Sequence, residues 1–387
     1  MMPIINKLTT PPQQLKCTSD SLCFRVSNIN VSVINSLRRC ILSDLDTVVF
    51  KTSPYKENKS NFITNTSQHH NEILKQRLSC IPIHIKNFND INLNEYIMEV
   101  NVSNTTETAL MVTTEDFKVK NLSTDQYLDK TQTQEIFPPN IFTNHFIDFV
   151  KLNPKISDEI PGEHIHITCE FSISNANDNG MFNIVSTCSY SNTIDQSKVE
   201  QQQIIEMEKL KNDGMTQSEI NMNINNWKLL DCLRIYIDNS FDFVIQTIGV
   251  YSNYDIIENA CDYMIYKLQY INNLIKTDKL LYSATNTTLK NGYDIILENE
   301  DETLGKVIEY LLYEHYYKNN ILSFCGFKKE HPHDANSIIR VAYLQPPIDD
   351  TNNDALLKEH LQKCCAIGIS IYEEFKNKFV NTYKNDK

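Results

Sequence analysis

The sequence predicts an α+β protein in which one small module, an antiparallel sheet carrying a short and a long helix, occurs twice along the chain. Two patterns carry this expectation. Four segments have strong helical periodicity and fall into two pairs, short then long, each segment preceded by a strand-like stretch. Between the two helices of the first pair lies a long region of alternating apolar and polar residues, which predicts a mostly β inserted domain.

The first short helix is expected over 32–44, capped by Ser32, with Val33, Ile34, Leu37, Cys40 and Ile41 on one face and a strand over 22–26 before it. The first long helix is expected over 255–275, where Ile257, Cys261, Met264, Leu268, Ile271 and Ile275 recur at three- and four-residue steps, after a strand over 241–250. The order then returns. A strand over 293–298 and an acidic turn over 299–302 lead into a helix over 303–317, with Leu304, Val307, Ile308, Leu311 and Leu312 on one face. Asp301 and Thr303 are placed to cap it, and the acidic run suits the positive end of the helix dipole. Strands over 321–328 and 338–344 and a Gln345-Pro346-Pro347 break precede a final helix over 354–380, whose apolar stripe reads Leu357, Leu361, Cys364, Ile367, Ile371, Phe375 and Phe379.

This reading divides the chain into a first module over 15–51 and 230–276, an inserted β-rich domain over 52–229, a linker over 277–291 and a second module over 292–383. The insertion has strand patterns over 96–102, 109–119, 164–174 and 184–190, and a polar, Gln-rich excursion over 197–226 that is helical or mobile.

At 387 residues the chain has room for two or three domains, and 41% apolar with 22% charged residues is the composition of a folding chain rather than a disordered one. A net charge of −13 argues against a surface devoted to neutralising phosphates, so protein partners are expected rather than direct nucleic-acid binding. The polar stretch 1–14 lacks the apolar core of a secretory signal, and no apolar run reaches the roughly 20 residues that span a bilayer, so an intracellular protein without a membrane partner is expected. The eleven cysteines form no C-x-x-C spacing and read as reduced core thiols. No Gly-rich phosphate loop, nucleophile elbow, His-Glu-x-x-His element or Asp-rich magnesium motif is present, so no catalytic residue is expected in this chain.

Asn35-Ser36-Leu37-Arg38-Arg39-Cys40-Ile41-Leu42-Ser43-Asp44 closely resembles the signature helix of the RNA polymerase alpha-like family, which includes the bacterial alpha subunit, the archaeal D subunit and the third-largest-type subunit of eukaryotic polymerase II. Leu74-Lys75-Gln76-Arg77-Leu78-Ser79-Cys80-Ile81-Pro82-Ile83 resembles the family's Arg-Leu-Gly-Leu-Ile-Pro-Leu element. In the second half, Glu300-Asp301-Glu302-Thr303-Leu304-Gly305, then Phe324-Cys325-Gly326-Phe327-Lys328-Lys329-Glu330-His331-Pro332, then Ile338-Ile339-Arg340-Val341 resemble the smaller partner, the archaeal L or eukaryotic eleventh-type subunit.

The resemblance covers most of 17–380 and is weakest over 125–160 and 197–226. It implies two alpha-like dimerisation modules fused in one chain, a non-catalytic assembly subunit of a DNA-directed RNA polymerase. The implied partners are the two largest polymerase subunits and small polymerase subunits, with DNA and RNA met only through the complex. One copy per complex is implied, not a homodimer. Such fusions point to a large DNA virus of eukaryotes, and hence to the virion and host cytoplasm, with the nucleus left open. One departure matters: 84–98 holds no cysteine, where many eukaryotic third subunits carry a zinc loop, and the cysteine spacing of an iron–sulfur site is missing too, so neither cofactor is expected.

The resemblance implies that Asn35, Arg38, Arg39, Arg77 and Pro82 dock the large subunits, since guanidinium forks suit carboxylates and carbonyls across an interface. Arg38 and Arg39 also fit a solvated helix face, and Arg77, read as starting a buried strand, equally fits an internal salt bridge. Leu37, Ile41, Met264, Leu268, Leu304, Leu311, Leu361 and Ile371 are the expected inter-module contacts. His331-Pro332-His333-Asp334 reads as a turn rather than a metal site, and Cys364-Cys365 as one core thiol beside one exposed thiol. The competing functions are a free-standing interaction protein that kept the fold and lost polymerase contacts, and, more remotely, a cysteine-dependent enzyme.

Overall fold

Phe24 and Val26 alternate with Arg25 and Ser27, a period of two that makes Leu22–Ser27 a strand with one fully buried face. It lies inside a four-stranded sheet ordered Ile4–Lys7, Leu22–Ser27, Tyr236–Thr247, Val185–Ile194. A second four-stranded sheet is ordered Leu281–Ala284, Gly292–Leu297, Ser337–Tyr343, Leu322–Lys328. The structure is a computed structural model that describes residues 3–8, 20–157, 159–285, 288–345 and 350–383. Pro346 and Pro347 of the expected break lie outside the described residues.

Among the described residues the α-helices are α1 (Val31–Ser43), α2 (Asn71–Ser79), α3 (Lys130–Ile136), α4 (Gln196–Asn212), α5 (Gln217–Leu229), α6 (Asn253–Lys276), α7 (Glu302–Leu312) and α8 (Asp350–Tyr383). Two units divide the chain: Met1–Cys40, Thr187–Gln246 and Ile257–Lys387 form one, Ile41–Ser186 and Thr247–Ile256 the other.

Both sheets of the first unit share one topology. In each, the two central strands lead into a short helix (α1 or α7) and a long helix (α6 or α8), and each outer strand precedes in sequence the central strand it flanks. The likeness extends to side chains. Arg25 forks onto Asp242 directly opposite it, at 2.6 and 3.1 Å, and Arg340 forks onto Asp294 opposite it, at 2.6 and 2.7 Å, with the arginine on the other central strand.

The hydrogen bond from Arg340 holds the Asp294 carboxyl below its ordinary 3.8, outweighing burial, which pushes the other way. A depressed carboxyl contributes stability above its unfolded pKa and loses it as pH falls through the folded one. Acidification below pH 3.8 is therefore expected to destabilise the protein. Arg340→Ala should flatten that dependence in thermal melts recorded across it.

Several local readings change. Asn30, not Ser32, caps α1: the helix starts at Val31, and Asn30 Oδ1 accepts the Ser32 N–H at 2.9 Å. Val185–Ile194, read as part of the insertion, is the fourth strand of the first sheet, and the expected linker contributes the edge strand Leu281–Ala284. The Gln-rich excursion is the helical pair α4 and α5. The pattern over 109–119 breaks into two strands, Leu110–Thr113 and Lys118–Asn121, because Thr113 and Asp116 cap a short 3₁₀ turn between them. Arg77 lies on α2 rather than on a strand, since Leu74 and Leu78, one helical turn apart, are the residues buried there.

The second unit is built on a five-stranded sheet ordered Ser60–Asn65, His164–Glu170, Tyr96–Ser103, Lys118–Asn121, Gln126–Tyr127. Its core is aromatic. Phe50 lies against Phe137 and Phe171, and Phe117 packs edge-on against Phe137 and Phe149.

Candidate functional site

Within the first unit helices α1 and α6 bury their apolar faces against α7 and α8. Gly368 of α8 stands where a Cβ would lie 2.9 Å from Leu268 Cδ1 on α6 and 3.2 Å from Leu311 Cδ1 on α7, so the missing side chain lets three helices approach closely. One turn on, the fully buried Tyr372 places its hydroxyl 2.5 Å from Ser36 Oγ of α1. Ser36 spends its own proton on Val33 O at 2.7 Å, so Tyr372 donates and Ser36 accepts. The end of α8 reaches the first sheet, with Phe379 edge-on to Phe24 and Phe24 stacked on Phe243.

The rim is ionic. Arg39 of α1 donates through Nε to Thr303 Oγ1 at 2.9 Å and through Nη2 to Asp301 at 2.6 Å and Glu302 at 3.3 Å, all at the start of α7. Burial raises the Asp301 carboxyl, but hydrogen bonds from Thr303 and Arg39 outweigh it and hold its pKa below the ordinary value. Lys267 of α6 donates to Glu300 at 2.8 Å, and Lys376 of α8 to both oxygens of Asp262 on α6. These ions are partly exposed, so Arg39→Ala is expected to cost only about 0.5 kcal/mol of stability, read from chemical denaturation.

The expected docking residues separate. Arg38 is half-buried, donates through Nε to Asn35 Oδ1 at 3.0 Å, and pairs with no carboxylate among the described residues, whereas Arg39 is committed to α7. Arg77 spends its fork on the carbonyls of Asp148 and Phe149, both at 2.7 Å. Pro82 is half-buried between the buried Ile81 and Ile83.

Of the expected inter-module residues, Leu37, Ile41, Met264, Leu268, Leu304, Leu311 and Leu361 are buried, Leu268 and Leu311 meet at Gly368, and Ile371 is half-buried. The stripe of α8 buries Leu357, Leu361, Cys364, Phe375 and Phe379 as expected, but in its middle Gly368 and Tyr372 take the buried positions instead of Ile367 and Ile371, and Cys364 and Cys365 are both buried. The three- and four-residue steps from Leu361 to Phe379 pass through Gly368 and Tyr372. That periodicity was the signal available in the sequence, masked by the greater hydrophobicity of Ile367 and Ile371.

Burial pushes the Cys188, Cys325 and Cys365 thiols up to about 12, the opposite of what a nucleophilic thiolate needs. Among the described residues no three His, Cys, Asp or Glu side chains group as metal ligands, and no helix is long and apolar enough to cross a membrane. His331 and Asp334 close a turn through two hydrogen bonds, Asp334 N–H to His331 O at 3.0 Å and His331 N–H to the Asp334 carboxylate at 2.9 Å.

A buried aliphatic and aromatic seam between paired helices, rimmed by ion pairs, defines a dimerisation scaffold. Residues 23–268 match the model of the RNA polymerase Rpb3/Rpb11 dimerisation domain, and the chain belongs to that family. The match covers the second unit and most of the first module. The domain is that of non-catalytic polymerase subunits and implies interaction with other RNA polymerase subunits. The chain is also similar to a conjugation stage-specific protein of Tetrahymena thermophila, 27% identical over 180 residues that cover 42% of this chain and 52% of that protein. It thus spans about half the length of that relative.

Proposed function

We propose that this chain is a non-catalytic assembly subunit of a multisubunit DNA-directed RNA polymerase. Its two modules stand as a third-type and an eleventh-type partner joined in one polypeptide, an internal pseudo-heterodimer on which the two catalytic large subunits assemble. The observation that carries this reading is the repetition of strand order, helix order and Arg–Asp register in two sheets whose helices pack through Ser36–Tyr372 and Leu268–Gly368–Leu311. Covalent joining keeps each module at roughly millimolar effective concentration for the other, so pairing is independent of dilution.

On this reading Arg38 offers the large subunit the unspent guanidinium donors of α1, and Asn35 orients it. One copy serves each complex, small polymerase subunits join the same platform, and DNA and RNA are met through the complex alone. The chain needs no zinc or iron–sulfur cluster of its own. A large DNA virus is the proposed source, with the virion and host cytoplasm as the compartments.

Native purification of the tagged chain tests this reading. Two large subunits and template-dependent RNA synthesis are expected in the eluate; a chain that purifies alone is a free-standing interaction protein instead. Light scattering of the isolated chain should give a monomer, and a tight homodimer would contradict the internal pairing.

A further inference from the structure

The loop between α3 and the strand Asp148–Leu152 holds apolar side chains out of the molecule. Ile141 is 92% exposed and Phe142 80%. Leaving such side chains in water forgoes the favourable burial of their apolar surface. The loop is braced. Asn140 Oδ1 accepts the N–H groups of Phe142 at 2.9 Å and Thr143 at 3.1 Å, and the Asn140 backbone bonds to His145 O and from Asn144 N–H, both at 2.8 Å. Asn144 takes the left-handed φ of 56° that closes the turn, a conformation asparagine tolerates.

Both stems are fixed as well. Phe137 is in the core, edge-on to Phe117. Ile147 donates its N–H to Thr114 Oγ1 at 3.2 Å and accepts the Thr114 N–H at 2.9 Å. The Arg77 fork holds the carbonyls of Asp148 and Phe149. A cleft of 490 Å³ at the foot of the loop is lined by Arg77, Cys80, Ile147, Asp148 and Met181, among others.

We infer that this loop is a docking knob, with Ile141 and Phe142 seated in an apolar pocket of another protein; resting on the assembly reading above, that protein is a large polymerase subunit. Three observations select a protein pocket. Residues 137–147 contain no Lys, Arg, Asp or Glu, so nothing in the loop draws an anionic headgroup or a phosphate backbone. The hydrogen-bonded tip and anchored stems leave little ordering cost on binding, as in preorganised interfaces. A third apolar side chain of the loop, Ile147, is 42% exposed at its foot and lines the cleft beside Arg77.

The test is Ile141→Ser with Phe142→Ser in the full chain, purified beside the wild type from the same source. Because both side chains are exposed, the melting temperature should not move, while recovery of large subunits should fall at least about tenfold, as for two anchoring side chains. Equal recovery by wild type and double variant overturns the knob and leaves the assembly reading standing. Failure of the wild type to recover any large subunit overturns the assembly reading itself. Retained recovery, with loss of wild-type binding to phosphatidylcholine–phosphatidylserine vesicles, assigns the loop to a membrane and overturns the protein pocket.

Discussion

Tyr372→Ala is expected to lower the folding stability by about 3–5 kcal/mol, the range for removing a buried aromatic ring, and Tyr372→Phe by only about 1 kcal/mol. The ring is 0% exposed where α8 meets α1, so its removal leaves a cavity in the packed seam. The small effect of the phenylalanine follows from the direction of the hydrogen bond. Ser36 keeps its bond to Val33 O and loses only an incoming donor. Burial, the largest cause, raises the Tyr372 phenol well above its ordinary pKa, so the donor is present at any working pH. Urea unfolding of the three proteins checks the pair. Two equal, small losses would mean that the helices meet without close packing.

Arg38→Glu is expected to remove large-subunit binding while leaving the fold intact. A charged donor truncated at an interface typically costs about 2–5 kcal/mol, which is roughly 30-fold to several-thousand-fold in affinity, and charge reversal belongs at the upper end. Among the described residues the Arg38 side chain bonds only to the Asn35 amide, so its loss strands no buried carboxylate there. Arg39→Glu should do the reverse, placing a third acid beside Asp301 and Glu302 and loosening α1 from α7. Recovery of large subunits by quantitative mass spectrometry, set beside a melting curve, separates the two residues; equal loss of recovery without loss of stability would make Arg39 a docking residue as well.

The sequence showed the helices α1, α6, α7 and α8 of the buried seam, because their apolar residues repeat at three- and four-residue steps and bury one face each. The α1 motif was legible as a helix with a polar face, and the acidic start of α7 as a cap, Asp301 accepting the Thr303 N–H. That Arg39 joins the two was not, since 262 residues separate Arg39 from Asp301 and no local pattern marks the contact. Ser36, Tyr372 and Gly368 escaped notice for a different reason. They sit on the apolar stripe but are not themselves strongly apolar, so hydrophobicity favoured Ile371, one position off the buried face.

Strand membership was the least legible level. Val185–Ile194 and Leu281–Ala284 read as ordinary short alternating or loop segments, and only pairing with distant strands assigns them to the two sheets. Arg77 shows the same limit: its fork serves carbonyls 71 and 72 residues away and braces the foot of the loop carrying Ile141 and Phe142, a contact that no local pattern marks.

One chain is expected to supply both halves of the assembly platform. Native mass spectrometry of the purified complex tests it most directly. One copy of this chain with one each of two large subunits, and no separate copy of either small dimerisation partner, is the predicted composition. Two copies of the chain, or one copy joined by a separate alpha-like partner, would contradict it.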